Sequence, residues 1–411
     1  MDKKNLRKIS LWVIVVSLSA IIIVLGGKYA IKGVNIFTES SEDTAVKAEV
    51  IKIIENKSSD GSFNGSNSNF HEDNIKFKCR ILSGKREGKV LKATQNINTM
   101  FGGSDRIKKV EKGDIVLIGK TQIAPDTANV ADNASYNEDM TFSNEWNFVE
   151  YYRFNKIMLL ALVFAILIII IGRIKGINAL ISLSFTAIFV FCVFLPWVLG
   201  GKNIYIGVTL TAIFTIIMSL LLIEGASKKC LVTIISCCTG TAIAAAIPFI
   251  MNTCLKLSGI IDEHSVYLTM MNPDKPIDLV AIIFAGIIIG ALGAIMDVAM
   301  DISSSLYEIT QHVPDISFKS LFKSGMSIGR DIMGTMANTL VLAYIGSSLC
   351  SVLLLVTYSV SITELLNREV VIVELLQALS GSIALLLTVP FTVLIAGIFY
   401  LHNSTHNRNK A

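Results

Sequence analysis

The chain has 411 residues with a formal net charge of +4, and 17% of them are charged against 52% hydrophobic. Soluble domains carry about 25% charged residues. Here the deficit lies in long uncharged runs, and the mean hydropathy is +0.61, which excludes an ordinary soluble protein and points to several membrane-spanning helices.

Lys3, Lys4, Arg7 and Lys8 precede an apolar run over residues 11–25, followed by Gly26, Gly27 and Lys28. This pattern predicts a signal anchor over residues 1–27, uncleaved and with a cytoplasmic N-terminus.

Residues 28–153 are polar, with acidic and basic groups near balance. Ile75, Phe77, Cys79 and Ile81 alternate with Lys76, Lys78 and Arg80, the two-residue period of a half-buried strand. A turn over Ser83–Gly88 leads to a second strand at Lys89-Val90-Leu91, making a hairpin. Val46, Ala48 and Val50 suggest an earlier strand, and Ile115–Ile118 a later one after Gly113-Asp114. The stretch NKSSDGSFNGSNSNFHEDN is too rich in Ser, Asn and Gly to pack and is expected to be a loop. Short strands with glycine turns predict a small extracytoplasmic β-rich domain, OB-like in character. Trp146, Tyr151 and Tyr152 are expected at the membrane interface.

Seven further apolar runs lie near 156–172, 177–199, 203–223, 230–254, 278–298, 328–356 and 375–400. With the anchor they predict about eight transmembrane helices, a membrane domain over 154–401 and a cytoplasmic tail over 402–411. Arg173, Lys175, Lys228, Lys229, Lys319, Lys323, Arg408 and Lys410 would then face the cytoplasm with the N-terminal four. Only Lys202, Lys256, Lys275 and Arg368 would occupy the short outer loops, so the basic bias agrees with cytoplasmic termini. Phe318, Leu321 and Phe322 share a face opposite Lys319 and Lys323, which predicts a helix on the inner membrane surface capped by Asp315.

The candidate site is in the sixth and seventh spans. Gly286, Gly290, Gly293, Ala294, Asp297 and Asp301 lie on one helical stripe. Gly325 and Gly329 form a small-x-x-x-small spacing that allows close helix approach. Ser327, Arg330, Asp331, Gly334, Thr335 and Asn338 then fall within less than half the circumference of span seven, opposite Ile332, Met333, Met336, Leu340 and Tyr344. Counting along the helices puts Asp297 and Arg330-Asp331 near one cytoplasmic level. A charge at the bilayer centre costs roughly 2.5–3.5 kcal/mol, so these groups are expected to converge on a wet pocket between helices. Asp297, Asp301, Arg330, Asp331, Thr335 and Asn338 are the candidate substrate or ion ligands, with Gly286, Gly290, Gly293, Gly325, Gly329 and Gly334 as packing positions.

Other features are weaker. The seven cysteines include no CxxC pair, so no metal or disulfide framework is expected, and all but Cys79 lie in or beside apolar runs where they pack. Glu224 with Lys228 and Lys229 reads as an interfacial helix end, and Thr239, Gly240 and Thr241 as packing or path lining. His402 and His406 read as a solvated tail rather than a metal site. No P-loop occurs, so no nucleotide cofactor is expected.

The run SGMSIGRDIMGTMANTLVLAYIGSS, preceded by GALGAIMDVAMDISSSLYEI, resembles the core of the YibE/F family, and VEKGDIVLIGK and IIGRIKGINALISLSFTAIFVFCVFLPWVLGGKNIY fit the same pattern. The resemblance implies a bacterial multi-pass plasma-membrane protein, without implying an activity. The leading expectation is a permease for a small solute or ion, proton- or cation-coupled through Asp297, Arg330 and Asp331. The alternative is a non-transporting scaffold whose outer domain binds an envelope partner. The expected partners are the lipid bilayer, a small ion or solute and an envelope protein; no nucleic acid is expected. An intramembrane aspartyl protease is disfavoured, and no enzyme activity is expected, because an adjacent arginine would hold Asp331 ionised whereas such dyads share a proton.

Overall fold

A computed structural model of the chain describes residues 3–31, 45–62, 69–99, 107–122, 142–270, 276–313, 315–358 and 361–408. They fall in two compact units, Phe37–Ile166 and Met1–Ile36 with Leu167–Ala411.

The smaller unit contains a closed barrel of β1 (Val46–Ser62), β2 (Asn69–Ile81), β3 (Val90–Thr99), β4 (Ile115–Gln122) and β5 (Phe142–Tyr151). The spatial order is β1-β2-β3-β5-β4, and β4 closes onto β1. Neighbours run antiparallel except β3 and β5. The two-residue period in β2 puts Ile75, Phe77, Cys79 and Ile81 in the core and leaves Lys76, Lys78 and Arg80 exposed. Burial there pushes the Cys79 thiol up to about 11, so it stays an unreactive thiol near neutral pH. Gly84 and Gly88 take φ of 91° and 79°, a left-handed conformation that costs a residue without a Cβ little, and the β2–β3 turn closes through them.

Three expectations for this region need correction. Much of the Ser/Asn-rich stretch is strand rather than loop: Lys57 pairs with Asn74, Ser58 with Asp73, and the ladder runs on to Ser62 and Asn69. Ladder bonds belong to the backbone, so a hairpin begun by the apolar part of β1 and β2 propagates through polar residues. Strand β5 was not anticipated. Its Trp146 is a barrel-core residue, 6% exposed and opposite Ala93, rather than an interfacial anchor.

Polar groups also hold the barrel. Gln95 is buried; its Oε1 accepts from the Val110 N–H at 2.9 Å and its Nε2 donates to the Lys108 carbonyl at 3.2 Å. Asp73 is fully buried, accepts from the Ser58 hydroxyl, and meets the half-exposed Lys109 ammonium at 2.7 Å.

In the described residues seven helical stretches are long and apolar enough to cross a membrane: Ile9–Ile31, Phe154–Leu199, Ile204–Glu224, Lys228–Leu255, Leu279–His312, Phe318–Tyr358 and Glu369–Leu401. The expected second and third spans form one 46-residue stretch, broken at Arg173, where φ is 49° and ψ −127°. It comprises α2 (Phe154–Phe189), a π-helical turn (Val190–Phe194) and α3 (Leu195–Leu199). Pro196 lacks an N–H to continue the α-helical ladder, which accounts for the widened turn just before it.

The other helices are α1 (Lys3–Ile31), α4 (Ile204–Glu224), α5 (Lys228–Leu255), α6 (Glu263–Met270), α7 (Leu279–His312), α8 (Phe318–Tyr358), α9 (Ile362–Asn367) and α10 (Glu369–Arg408). The expected tail is therefore helical to Arg408, and the side chains of His402 and His406 lie outside the described residues. Side chains cap several helices: Asn203 on α4, Ser227 on α5 and Asp278 on α7.

Helices α5, α7 and α10 form the centre. One core cluster joins α4, α5 and α7 through Val208, Ile216, Cys237, Ile288 and Ala299. A second joins α7, α8 and α10 through Ile302, Leu306, Leu321, Val389 and Val393. Gly240 of α5 allows the closest approach, lying against Thr388 of α10 and Ile295 of α7.

Buried polar links recur along these helices. Trp12 Nε1 donates to Asn178 Oδ1 at 3.0 Å, and Asn178 donates to the Leu222 carbonyl at 2.9 Å. Ser303 and Tyr400 share a hydroxyl hydrogen bond of 2.7 Å. Glu224 and Lys229, read from sequence as an interfacial end, form a mostly buried ion pair at 2.5 Å.

The stretch expected to lie on the inner membrane surface is instead the first turns of α8. Its Leu321 is fully buried and its Phe318 ring, 44% exposed, touches Gly397 of α10, so the apolar face is partly taken by protein. The Ser320 N–H bonds the Ser317 hydroxyl at 3.2 Å, so Ser317 caps this helix.

Candidate functional site

Glycine spacing sets which side of α8 packs. Gly325 rests on Val393 and Leu306, and Gly329 on Val389 and Ile302. Both lie on the side of α8 that carries Met333, Met336 and Leu340, and these pack with them. This face, which could have met either lipid or other helices, thus meets α7 and α10 over these positions.

The opposite side is open. Ser327, Arg330, Asp331, Gly334, Thr335, Asn338 and Thr339 are all exposed. Toward the other end of α8 the exposed side is apolar, with Leu342, Ile345, Leu349, Leu353 and Leu354 outermost. One continuous helix thus shows lipid-compatible residues over one half and charged or hydroxyl-bearing residues over the other.

On α7 the stripe Gly286, Gly290, Gly293, Asp297 and Asp301 is likewise exposed. Gly329 packs beside Ile302, so Arg330 and Asp301 share a level across the two helices. They do not touch. Among the described residues Arg330 makes no ion pair, and the charge that acts on Asp297 is Asp301, one turn along the same helix. The Thr335 hydroxyl donates to the Ile332 carbonyl and that of Thr339 to the Thr335 carbonyl, both at 2.9 Å. Among the described residues the expected pocket enclosed between spans six and seven is therefore not formed: the side chains share a level and are exposed.

The six candidate packing glycines divide in three ways. Gly325, Gly329 and Gly290 carry tight contacts, the last against the Tyr344 hydroxyl. Gly286 meets the Gln377 amide at ordinary van der Waals distance. Gly293 and Gly334 have nothing within 4 Å of an added Cβ, so they pack against no part of this chain's described residues.

One cluster was missed from sequence. Glu374 of α10 lies one residue before the expected start of the last span. It sits in electrostatic range of Tyr344 and against Ser348, both on α8, with Gln377 one turn along α10. Glu374 Oε2 and the Tyr344 hydroxyl are both buried with no hydrogen-bond partner. A sequence signal existed: Glu374 and Gln377 share a face at i and i+3.

Chemically, α7 and α8 present three carboxylates, a guanidinium and neutral oxygen ligands on an outward surface. Such a surface suits a hydrated path or a polar partner and is ill suited to hydrocarbon. No curated relative and no solved structure matches the chain significantly. A family model described as YibE/F-like protein matches residues 160–402, from within α2 to within α10. That match spans more than half of the chain and takes in both polar stripes and Glu374, and the chain accordingly belongs to the YibE/F-like family.

Proposed function

We propose that this protein is a membrane permease subunit whose polar path runs along the outward faces of α7 and α8, closed on its far side by another membrane chain. A single observation carries this reading: over residues 327–339 the packed side of α8 is apolar and the open side is polar. A helix bordering lipid shows the reverse arrangement, as α8 itself does over residues 342–354. Burying Arg or Asp in hydrocarbon costs roughly 2.5–3.5 kcal/mol each, so the open polar half faces water or protein. The solute is small and charged, with Asp297, Asp301 and Asp331 attracting cations or protons and Arg330 limiting the net negative field.

In this reading the chain crosses a bacterial plasma membrane eight times, with both ends cytoplasmic and the barrel, OB-like in its five-stranded closure, outside. The stretch Phe154–Leu199 supplies two crossings. Its 46 residues would span about 70 Å as one straight helix, over twice the hydrocarbon thickness of about 30 Å. The break at Arg173, beside Lys175, marks the cytoplasmic turn. The scaffold alternative had Arg330 locking helices together, and the lack of any ion pair to Arg330 among the described residues gives that role no support.

Proteoliposomes carrying a pH-sensitive or cation-sensitive dye test the reading. Asp331→Asn and Asp297→Asn are each expected to drop flux to the level of empty vesicles while the protein stays folded. Flux unchanged in both variants would remove these acids from any path.

A further inference from the structure

The cluster around Glu374 adjoins the glycine end of the α7 stripe, at Gly286 and Gly290 rather than at Asp297 and Asp301, and does a different job. It lies where α7, α8 and α10 meet. Tyr344 presses its hydroxyl onto Gly290, where the missing side chain makes room, and the Gln377 amide lies beside Gly286. These two glycines let α8 and α10 side chains come up against the α7 backbone.

Charge is unbalanced there. Among the described residues Glu374 makes no ion pair, and the neighbouring elements bring it no basic group: α7 presents Gly286 and Gly290, α8 Tyr344 and Ser348, and α10 itself Gln377. Hydrogen bonding is incomplete too, since Glu374 Oε2 and the Tyr344 hydroxyl are each buried without a partner. Ser348 does not close the gap for both, because its hydroxyl also reaches the Tyr344 carbonyl at 3.0 Å and has only one proton to give. A half-buried carboxylate with one oxygen buried and unbonded is disfavoured as a bare ion unless something positive neutralises it.

We propose that Glu374, Tyr344 and Ser348 form a binding site for one small monovalent cation, held between α8 and α10 against α7. One carboxylate balances one positive charge, and the phenol and serine oxygens supply neutral ligands that leave the site uncharged. A divalent ion would keep an excess charge in an apolar surround. Because α8 carries both this site and the outward polar stripe, occupancy fixes the rotation of α8 against α10 and so sets how that stripe is presented.

The test uses the full-length protein purified in detergent at constant ionic strength. Choline chloride is replaced in turn by lithium, sodium or potassium chloride, and thermal unfolding and calorimetric binding are measured. One alkali cation is expected to raise the unfolding midpoint saturably and to bind with unit stoichiometry. Glu374→Gln should lose the response and Tyr344→Phe should weaken it. No cation response in the folded wild type would overturn the proposal. So would a response that survives in Glu374→Gln, or one to pH alone. If Glu374→Gln does not fold, the wild-type isotherm and Tyr344→Phe still decide. Binding in detergent is independent of flux, so failure here leaves the permease reading standing, and loss of flux with intact binding counts against permeation alone.

Discussion

Gly240→Val is expected to cost the membrane unit about 3 kcal/mol or more, enough to unfold it in detergent near room temperature. An added Cβ at this position would overlap the Thr388 hydroxyl and lie 2.8 Å from Ile295 Cγ2. Both neighbours are fully buried, so neither can swing into open space. The only relief is to part α5 from α7 and α10, which breaks the packing of the three central helices. Even Gly240→Ala should lower the unfolding midpoint. Gly293→Ala and Gly334→Ala form the matched controls, since an added methyl there meets nothing within 4 Å. Both should keep the wild-type midpoint. Equal loss across the four variants would contradict the contact account, because alanine is the better helix former at each of these positions and meets nothing at two of them.

Lys109→Met is expected to destabilise the barrel by roughly 2 kcal/mol. Removing one partner of a buried pair costs about 3–5 kcal/mol, and the figure is reduced here because Lys109 is half exposed and the Ser58 hydroxyl still serves Asp73. Asp73 is fully buried, so losing the ammonium removes the charge that offsets its own at 2.7 Å. Asp73→Asn in the same chain should restore much of the loss, because the double variant carries no buried charge. The measurement is hydrogen exchange in the full-length protein, read at β2 and β4 backbone amides. Faster exchange in Lys109→Met that Asp73→Asn does not relieve would show that Lys109 acts through packing instead.

Local patterns carried much of the architecture. The alternation of Ile75, Phe77, Cys79 and Ile81 specified strand β2 and its inward face, because a two-residue period has one solution once one face is apolar. Long uncharged runs specified membrane helices for the same kind of reason. What stayed hidden depends on partners far along the chain. Strand β5 is polar at half of its positions without a clean alternation, and exists because β3 and β4 leave a gap that Trp146 fills. The Ser/Asn-rich stretch pairs because β1 and β2 are already in register. The helix at Phe318–Lys323 looks like a surface helix until Gly397 offers its ring a seat.

The candidate site shows the same division more sharply. Helical spacing told which residues of α8 share a face: Arg330, Asp331, Gly334, Thr335 and Asn338 on one, Met333, Met336 and Leu340 on the other. It could not tell which face meets protein. That choice was made by Gly325 and Gly329, whose lack of side chains admits Val393 and Val389. The apolar side then packs and the polar side opens. Glu374 escaped notice because hydropathy alone placed it at a span boundary, whereas its environment is set by Tyr344 and Ser348, some thirty residues earlier and on another helix.

Single cysteines placed along residues 327–342, in a chain whose native exposed cysteines Cys192, Cys254 and Cys350 are replaced by serine, give the most direct measurement in membranes. Membrane vesicles are treated with a charged maleimide that reacts only where water reaches. Labelling should follow the helical period, strong at Ser327, Asp331, Gly334, Thr335 and Asn338 and absent at Met333, Met336 and Leu340. Protection at every position of the polar set would mean that this side of α8 is sealed from water, and a solute path along it would be ruled out.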